Sequence, residues 1–189
     1  VWFTPPISNA PWWLGADVSM SLKLREDVYL WLWGDTLVGE VNKENQRNVQ
    51  GMPHGSLTLA SVSHGKMESL NFFKPAGVWG VFHPQDSNPE KEYYWTPGGG
   101  VGPETGSLFI TAMRMSPIGD LNQTGSDIVI VPRDQLSQTE PSKWQYKTVP
   151  ISLPRGNHKC VFNNGIAFDG GFVIIVGQCD YQAILIRCS

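Results

Sequence analysis

Apolar and polar residues alternate along most of this chain with a period of two, and little of it carries the 3.6-residue period of an amphipathic helix. The alternation is clearest in the run Ala16-Asp17-Val18-Ser19-Met20-Ser21-Leu22-Lys23-Leu24 and in the run Val28-Tyr29-Leu30-Trp31-Leu32-Trp33 that follows it. The charged triplet Arg25-Glu26-Asp27 between them reads as a turn. An antiparallel hairpin closed by that triplet sets Leu24 opposite Val28, Leu22 opposite Leu30 and Met20 opposite Leu32. Further strands are expected at about 55–63, 67–73, 78–82, 92–96, 107–115, 127–131, 144–149, 162–168, 172–178 and 182–187, punctuated by 20 glycines and 14 prolines. The one helix-leaning stretch, Arg133 to Glu140, has Pro132 placed to begin a single short turn. The fold class expected is all-β.

A coarse repeat lies over this pattern. Asp27 precedes the strand from Val28, Thr105-Gly106 precedes Ser107 to Ala112, and Asp169-Gly170-Gly171 precedes Phe172 to Gly177. The strand starts at 28, 107 and 172 are 79 and 65 residues apart, and each interval holds about four strands. That is the size of a four-stranded antiparallel propeller blade. The expectation is one incomplete β-propeller domain over 1–189, with blade-like units at about 15–80, 81–150 and 151–189. Propellers close with about 4–8 blades, so the chain reads as part of a longer protein with exposed strand edges.

Composition narrows the function. Hydrophobic residues make up 41% and charged residues 16%, which suits a globular domain with a substantial core. A net charge of −3, with no run of lysine or arginine, argues against nucleic acid as partner. No apolar stretch approaches the roughly 20 residues of a helical membrane span. The first residues, Val1-Trp2-Phe3-Thr4-Pro5-Pro6, show no signal peptide and no initiating methionine, and read as the start of a fragment or processed product. Cys160, Cys179 and Cys188 allow one bridge or ordinary free thiols, and their spacing is not that of a zinc site. The four histidines, His54, His64, His83 and His158, are scattered with no ligand spacing, which makes a metal site weak, although a calcium in a propeller channel stays an open reading; no cofactor is expected. Asn122-Gln123-Thr124 matches the N-glycosylation pattern, which arises often by chance.

The chemistry is concentrated in the first hairpin. Continuing its register sets Asp17 opposite Asp35, and directly opposed residues share a sheet face with Cβ atoms about 5 Å apart. Two carboxyls so placed repel, and one is expected to hold its proton to higher pH than usual. An acid beside a base is the equipment of glycoside hydrolysis. The hydrophobic neighbours Trp31 and Trp33 favour Asp35 as the proton-bearing acid and Asp17 as the ionised partner. A bland reading makes both residues turn and capping side chains. His54, in Met52-Pro53-His54-Gly55-Ser56-Leu57, is a candidate for tuning the pair or binding substrate, and Arg47 for gripping sugar hydroxyls. Trp95, beside Gly98-Gly99-Gly100, is a candidate sugar platform, whereas the glycine run lacks the lysine and helix of a phosphate loop.

The ordered series Gly15-Ala16-Asp17, Trp31-Leu32-Trp33-Gly34-Asp35-Thr36, Arg47 and Met52 to Leu57, followed by Tyr93-Tyr94-Trp95-Thr96-Pro97-Gly98 and Gly106-Ser107-Leu108-Phe109, resembles the family known as domain of unknown function 4185. Gly55 stands where that family carries an asparagine before Ser56. The resemblance covers roughly residues 15–115, and 160–187 loosely. It implies a five-bladed propeller related to endo-D-arabinanases, with about three of five blades present. It also implies cleavage of a furanosyl, arabinan-like or related linkage in a polysaccharide or oligosaccharide by Asp17 and Asp35. The expected location is extracellular or the cell envelope. Two other readings use the same scaffold: a non-catalytic carbohydrate-binding propeller, and a structural or protein-interaction propeller.

Overall fold

The computed structural model describes residues 10–17, 19–74, 80–88, 91–117, 122–151, 160–179 and 182–188. The N-terminal Val1 to Pro6, Val18 and His158 lie outside these residues. The described residues form fourteen strands: β1 Trp13–Ala16, β2 Ser19–Arg25, β3 Val28–Trp33, β4 Thr36–Val41, β5 Arg47–Gly51, β6 Ser56–Ser63, β7 Lys66–Phe73, β8 Tyr93–Val101, β9 Leu108–Ser116, β10 Asn122–Val131, β11 Lys147–Pro150, β12 Cys160–Asp169, β13 Phe172–Cys179 and β14 Gln182–Cys188. A short 3-10 turn at Gln135–Ser137 lies in the helix-leaning stretch, and a second at Pro141–Lys143 follows it. No helix among the described residues is long and apolar enough to cross a membrane.

The strands form antiparallel sheets in the orders β2-β3-β6-β7, β11-β10-β9-β8 and β12-β13-β14, with a smaller sheet β1-β4-β5. In each of the first three, strands pair in chain order, and β4 and β5 form an excursion between β3 and β6. The first strands of these sheets pack successively, β2 against β8 and β8 against β12. One core joins the first two sheets through Leu22, Leu30, Leu32 and Leu57 on one side and Leu108, Ile110, Val129 and Val131 on the other. Each such side chain contributes about 1.5–3 kcal/mol when fully buried.

The glycine run belongs to this packing. A Cβ on Gly99 would lie 2.7 Å from the Phe109 carbonyl oxygen and 3.3 Å from Leu22 Cδ2, and one on Gly100 would lie 3.0 Å from Phe168. Glycine lets β8 sit pressed between its neighbours.

Several local expectations differ from the structure. The first hairpin keeps its register through Leu22 opposite Leu30 and Met20 opposite Leu32, but Arg25, not Leu24, pairs with Val28. The connection is a two-residue turn, Glu26-Asp27, with Asp27 at φ 59°. Leu24 is the extra residue, absorbed as a bulge between Lys23 and Arg25. Of the strand expected at 78–82, residues 80–82 form none; Gly80 at φ 90° turns the chain there. The polar residues 42–46 form the turn of the β4–β5 hairpin, and Arg47 begins β5. Its exposed residues on both faces give no alternation to read. Cys160 and Cys179, opposed on β12 and β13, form a disulfide, and Cys188 is a free thiol.

Candidate active site

The site lies where the first ribbon passes from one sheet to another. The β2–β3 hairpin belongs to the four-stranded sheet and the β1–β4 pair to the small one, and Asp17 and Gly34-Asp35 stand at the crossing. Hydrogen bonds hold the ribbon together through it. The Asp17 N–H donates to the Asp35 carbonyl at 3.1 Å, and the Gly34 N–H donates to the Asp17 carbonyl at 3.1 Å. Ala16 pairs with Thr36 just beyond. The two aspartates are therefore brought together.

Glycine at 34 is what makes room for one of them. A Cβ there would collide with Asp17 Oδ1 and come within 3.3 Å of the Asp17 carbonyl oxygen. Gly34→Ala is therefore expected to push the Asp17 carboxyl aside. Because the colliding atom ends a short side chain, the thermal transition should move little, while any hydrolysis falls by about 10²-fold, the cost of a displacement near 1 Å. Melting curves and rates on the same preparation check this.

Asp35 is held from three directions. Thr36, fully buried, donates its backbone N–H to the Pro53 carbonyl at 2.9 Å, and its hydroxyl lies 2.9 Å from that of Ser56. These contacts bring the segment carrying His54 alongside. His54 Nδ1 lies 3.1 Å from Asp35 Oδ1, and Trp95 Nε1 donates to the same oxygen at 3.0 Å. An ionised carboxylate only accepts, so the Nδ1 of His54 carries the shared proton. The side chains of His54 and Asp35 are about one-fifth exposed, at 19% and 20%. The His54 ring stacks on Tyr93 with centroids 3.6 Å apart, and Tyr93 meets the edge of Trp95.

Electrostatics then separates the pair in the opposite sense to the sequence expectation. Burial pushes the Asp35 carboxyl up, but the hydrogen bonds from His54 and Trp95, with the charge of His54, outweigh it and hold Asp35 below the ordinary carboxylate range. Asp17 is raised, first by partial burial of its carboxyl and then by the negative charge of Asp35, against the backbone hydrogen bonds that lower it. Of the two, Asp17 is the carboxyl shifted toward keeping its proton and Asp35 the one shifted toward ionisation. Trp31 and Trp33 do not reverse this, because they lie on the sheet face that packs with Trp13 and Phe72, where Trp33 Nε1 donates to Thr58.

Arg47 begins β5, exposed, with a guanidinium nitrogen 3.8 Å from where a Cβ on Gly15 would stand. Tyr93 and Gly34 join the site without having been singled out by the sequence pattern. For Tyr93 the available signal is alternation: Tyr93 and Trp95, two apart on β8, share a face. Among the described residues no group of three or more His, Cys, Asp or Glu is arranged to hold a metal ion.

Residues 7–169 match the family described as Domain of unknown function (DUF5005). The chain belongs to that family. This overturns the resemblance to domain of unknown function 4185. The Trp-Gly-Asp-Thr series encodes a local structure, an aromatic strand running into a glycine crossing, and such a series is not peculiar to one family. A search of curated proteins finds no match. Among solved structures, the chain is similar to one described as a "putative hydrolase" from Bacteroides ovatus ATCC 8483, at 14% identity and a TM-score of 0.64. The alignment covers 93% of this chain and 48% of that one, so the chain spans about half the length of its structural neighbour. At that identity the likeness shows a common all-β fold.

Proposed function

We propose that this domain carries the acid/base pair of a hydrolase acting on glycosidic bonds, with Asp17 as proton donor and Asp35 as base or nucleophile. The observation that carries the reading is the pairing at the ribbon crossing of a carboxyl raised by burial and by its neighbour with a carboxylate lowered by two hydrogen-bond donors. Environments that push two carboxyls apart in this way assign the acid and the base. Trp95, half-buried and tied to Asp35 through its indole nitrogen, offers its ring as a wall for a sugar beside the reacting groups. The substrate class is an oligosaccharide or polysaccharide. The furanosyl expectation rested on the family resemblance and is withdrawn with it. The description of the structural neighbour as a hydrolase agrees with the reaction class.

The same reading takes the three consecutive meander sheets as propeller blades. Their chain-order pairing and the successive packing of β2, β8 and β12 support it. The Cys160–Cys179 bridge supports an oxidising compartment, outside the cell or in its envelope.

The test is hydrolysis of a polysaccharide panel by the full-length protein, followed by a pH profile on whichever substrate is cleaved. Asp35 must be ionised and Asp17 protonated. Activity should therefore rise as pH climbs through the lowered pKa of Asp35 and fall as pH passes the raised pKa of Asp17. The two limbs belong to the coupled pair, and the optimum should be acidic. An alkaline limb that stays in place in Asp17→Asn would remove Asp17 from the mechanism.

A further inference from the structure

Asp35 is surrounded by Asp17 from the ribbon, His54 from the connection between β5 and β6, and Trp95 and Tyr93 from β8. Three of these touch one another in a fixed order. Tyr93 is 2% exposed, so its ring has one place to be. One face lies nearly parallel to the His54 imidazole, 3.6 Å between centroids and 11° between planes. The Trp95 indole meets it edgewise, at 6.0 Å and 71°. The two rings against Tyr93 are the two that present N–H groups to Asp35 Oδ1, at 3.1 and 3.0 Å. Tyr93 and Trp95 stand two apart on β8, paired with Met115 and Met113 of β9, so both side chains leave the strand on one face. Imidazole and indole side chains both rotate about two bonds, and a hydrogen bond to one oxygen does not by itself fix a ring plane. A buried aromatic face does.

We propose that Tyr93 is the positioning residue of this site, its ring clamping His54 and Trp95 so that both donate to the same oxygen of Asp35. The inference rests on Asp35 being the ionised member of the acid/base pair. Tyr93 does not touch the scissile bond. It acts through the orientation of two donors, and only its ring is required. Its hydroxyl, held protonated by burial and by the charge of Asp35, is no proton donor in the working range.

The experiment is an NMR titration of the side-chain carboxyls in the full-length protein, its Tyr93→Phe variant and its Tyr93→Met variant. Phenylalanine keeps both ring contacts, and methionine keeps much of the volume without a planar face. Losing the aligned donors removes hydrogen bonds that favour the charged carboxylate. The Asp35 midpoint should therefore rise by about one pH unit in Tyr93→Met and stay at the native value in Tyr93→Phe. A purely structural residue would change the melting temperature without moving that midpoint. In the native protein the ring protons of His54 should be displaced upfield by the stacked tyrosine. That measurement and Tyr93→Phe decide the matter even if Tyr93→Met does not fold. An Asp35 midpoint unmoved in folded Tyr93→Met, an equal shift in Tyr93→Phe, or unshifted His54 ring protons would each overturn the proposal. None of these readouts requires a substrate, so a chain that positions Asp35 in this way but cleaves no sugar fails the functional reading and not this one.

Discussion

Asp35→Asn and Asp17→Asn should each lower kcat on a cleaved polysaccharide by about 10²–10⁴-fold, the contribution of a positioned acid or base. The two losses should differ in their pH dependence. The amide introduced by Asp35→Asn still accepts a hydrogen bond from Trp95 Nε1, so the indole stays in place while the charge disappears. The remaining activity should then lose its acidic limb, because that limb is the ionisation of Asp35. Asp17→Asn removes the proton donor and with it the alkaline limb. Substrates with acidic leaving groups, which need little protonation, should be spared by Asp17→Asn and not by Asp35→Asn. Cleavage undiminished in both variants would end the carboxylate mechanism. Equal losses on activated and unactivated substrates would end the role given to Asp17.

How much of this was legible in the sequence depends on which interaction sets each feature. The hairpin register was legible because Leu22, Leu30, Met20 and Leu32 can be buried together in only one pairing. A bulge at Leu24 changed the turn without shifting anything beyond it. The pairing of Asp17 with Asp35 followed from that register. The direction of their protonation did not, because it depends on His54 and Trp95, which lie 19 and 60 residues from Asp35. The tryptophans adjacent in sequence, Trp31 and Trp33, face the other side of the sheet. The excursion of β4 and β5 was illegible for another reason. Arg47 to Gln50 are exposed, so that strand is held by backbone pairing to β4, with no buried face to impose a pattern. The glycine run was legible only as an exclusion. Its positive role, the approach of β8 to β2 and β12, requires knowing which strands are neighbours.

Behind β8 lies the interaction whose loss should unfold the domain most readily. Arg114 sits opposite Tyr94, and its Nε donates to Asp127 Oδ2 at 2.7 Å, the Asp127 side chain being only 1% exposed. Its terminal nitrogens reach Asp86 at 2.7 Å and Glu92 at 3.3 Å, and the Tyr94 hydroxyl donates to Asp127 as well. One guanidinium thus ties β9, β10 and the segment before β8 to the strand that carries Tyr93 and Trp95. Arg114→Met should cost about 3–5 kcal/mol by urea unfolding, because Asp127 is left as a buried charge without its cation. The exposed contact with Asp86 contributes little to that figure, since surface pairs contribute about 0–1 kcal/mol. Arg114→Lys should recover only part of it, because an ammonium cannot reproduce the fork of donors that spans three carboxylates. Adding Asp127→Asn to Arg114→Met removes the orphaned charge and should restore stability relative to Arg114→Met alone. A double-mutant cycle that shows no coupling between 114 and 127 would mean that the buried carboxylate is compensated by Tyr94 alone. In that case the arginine would serve only the exposed acids at the rim.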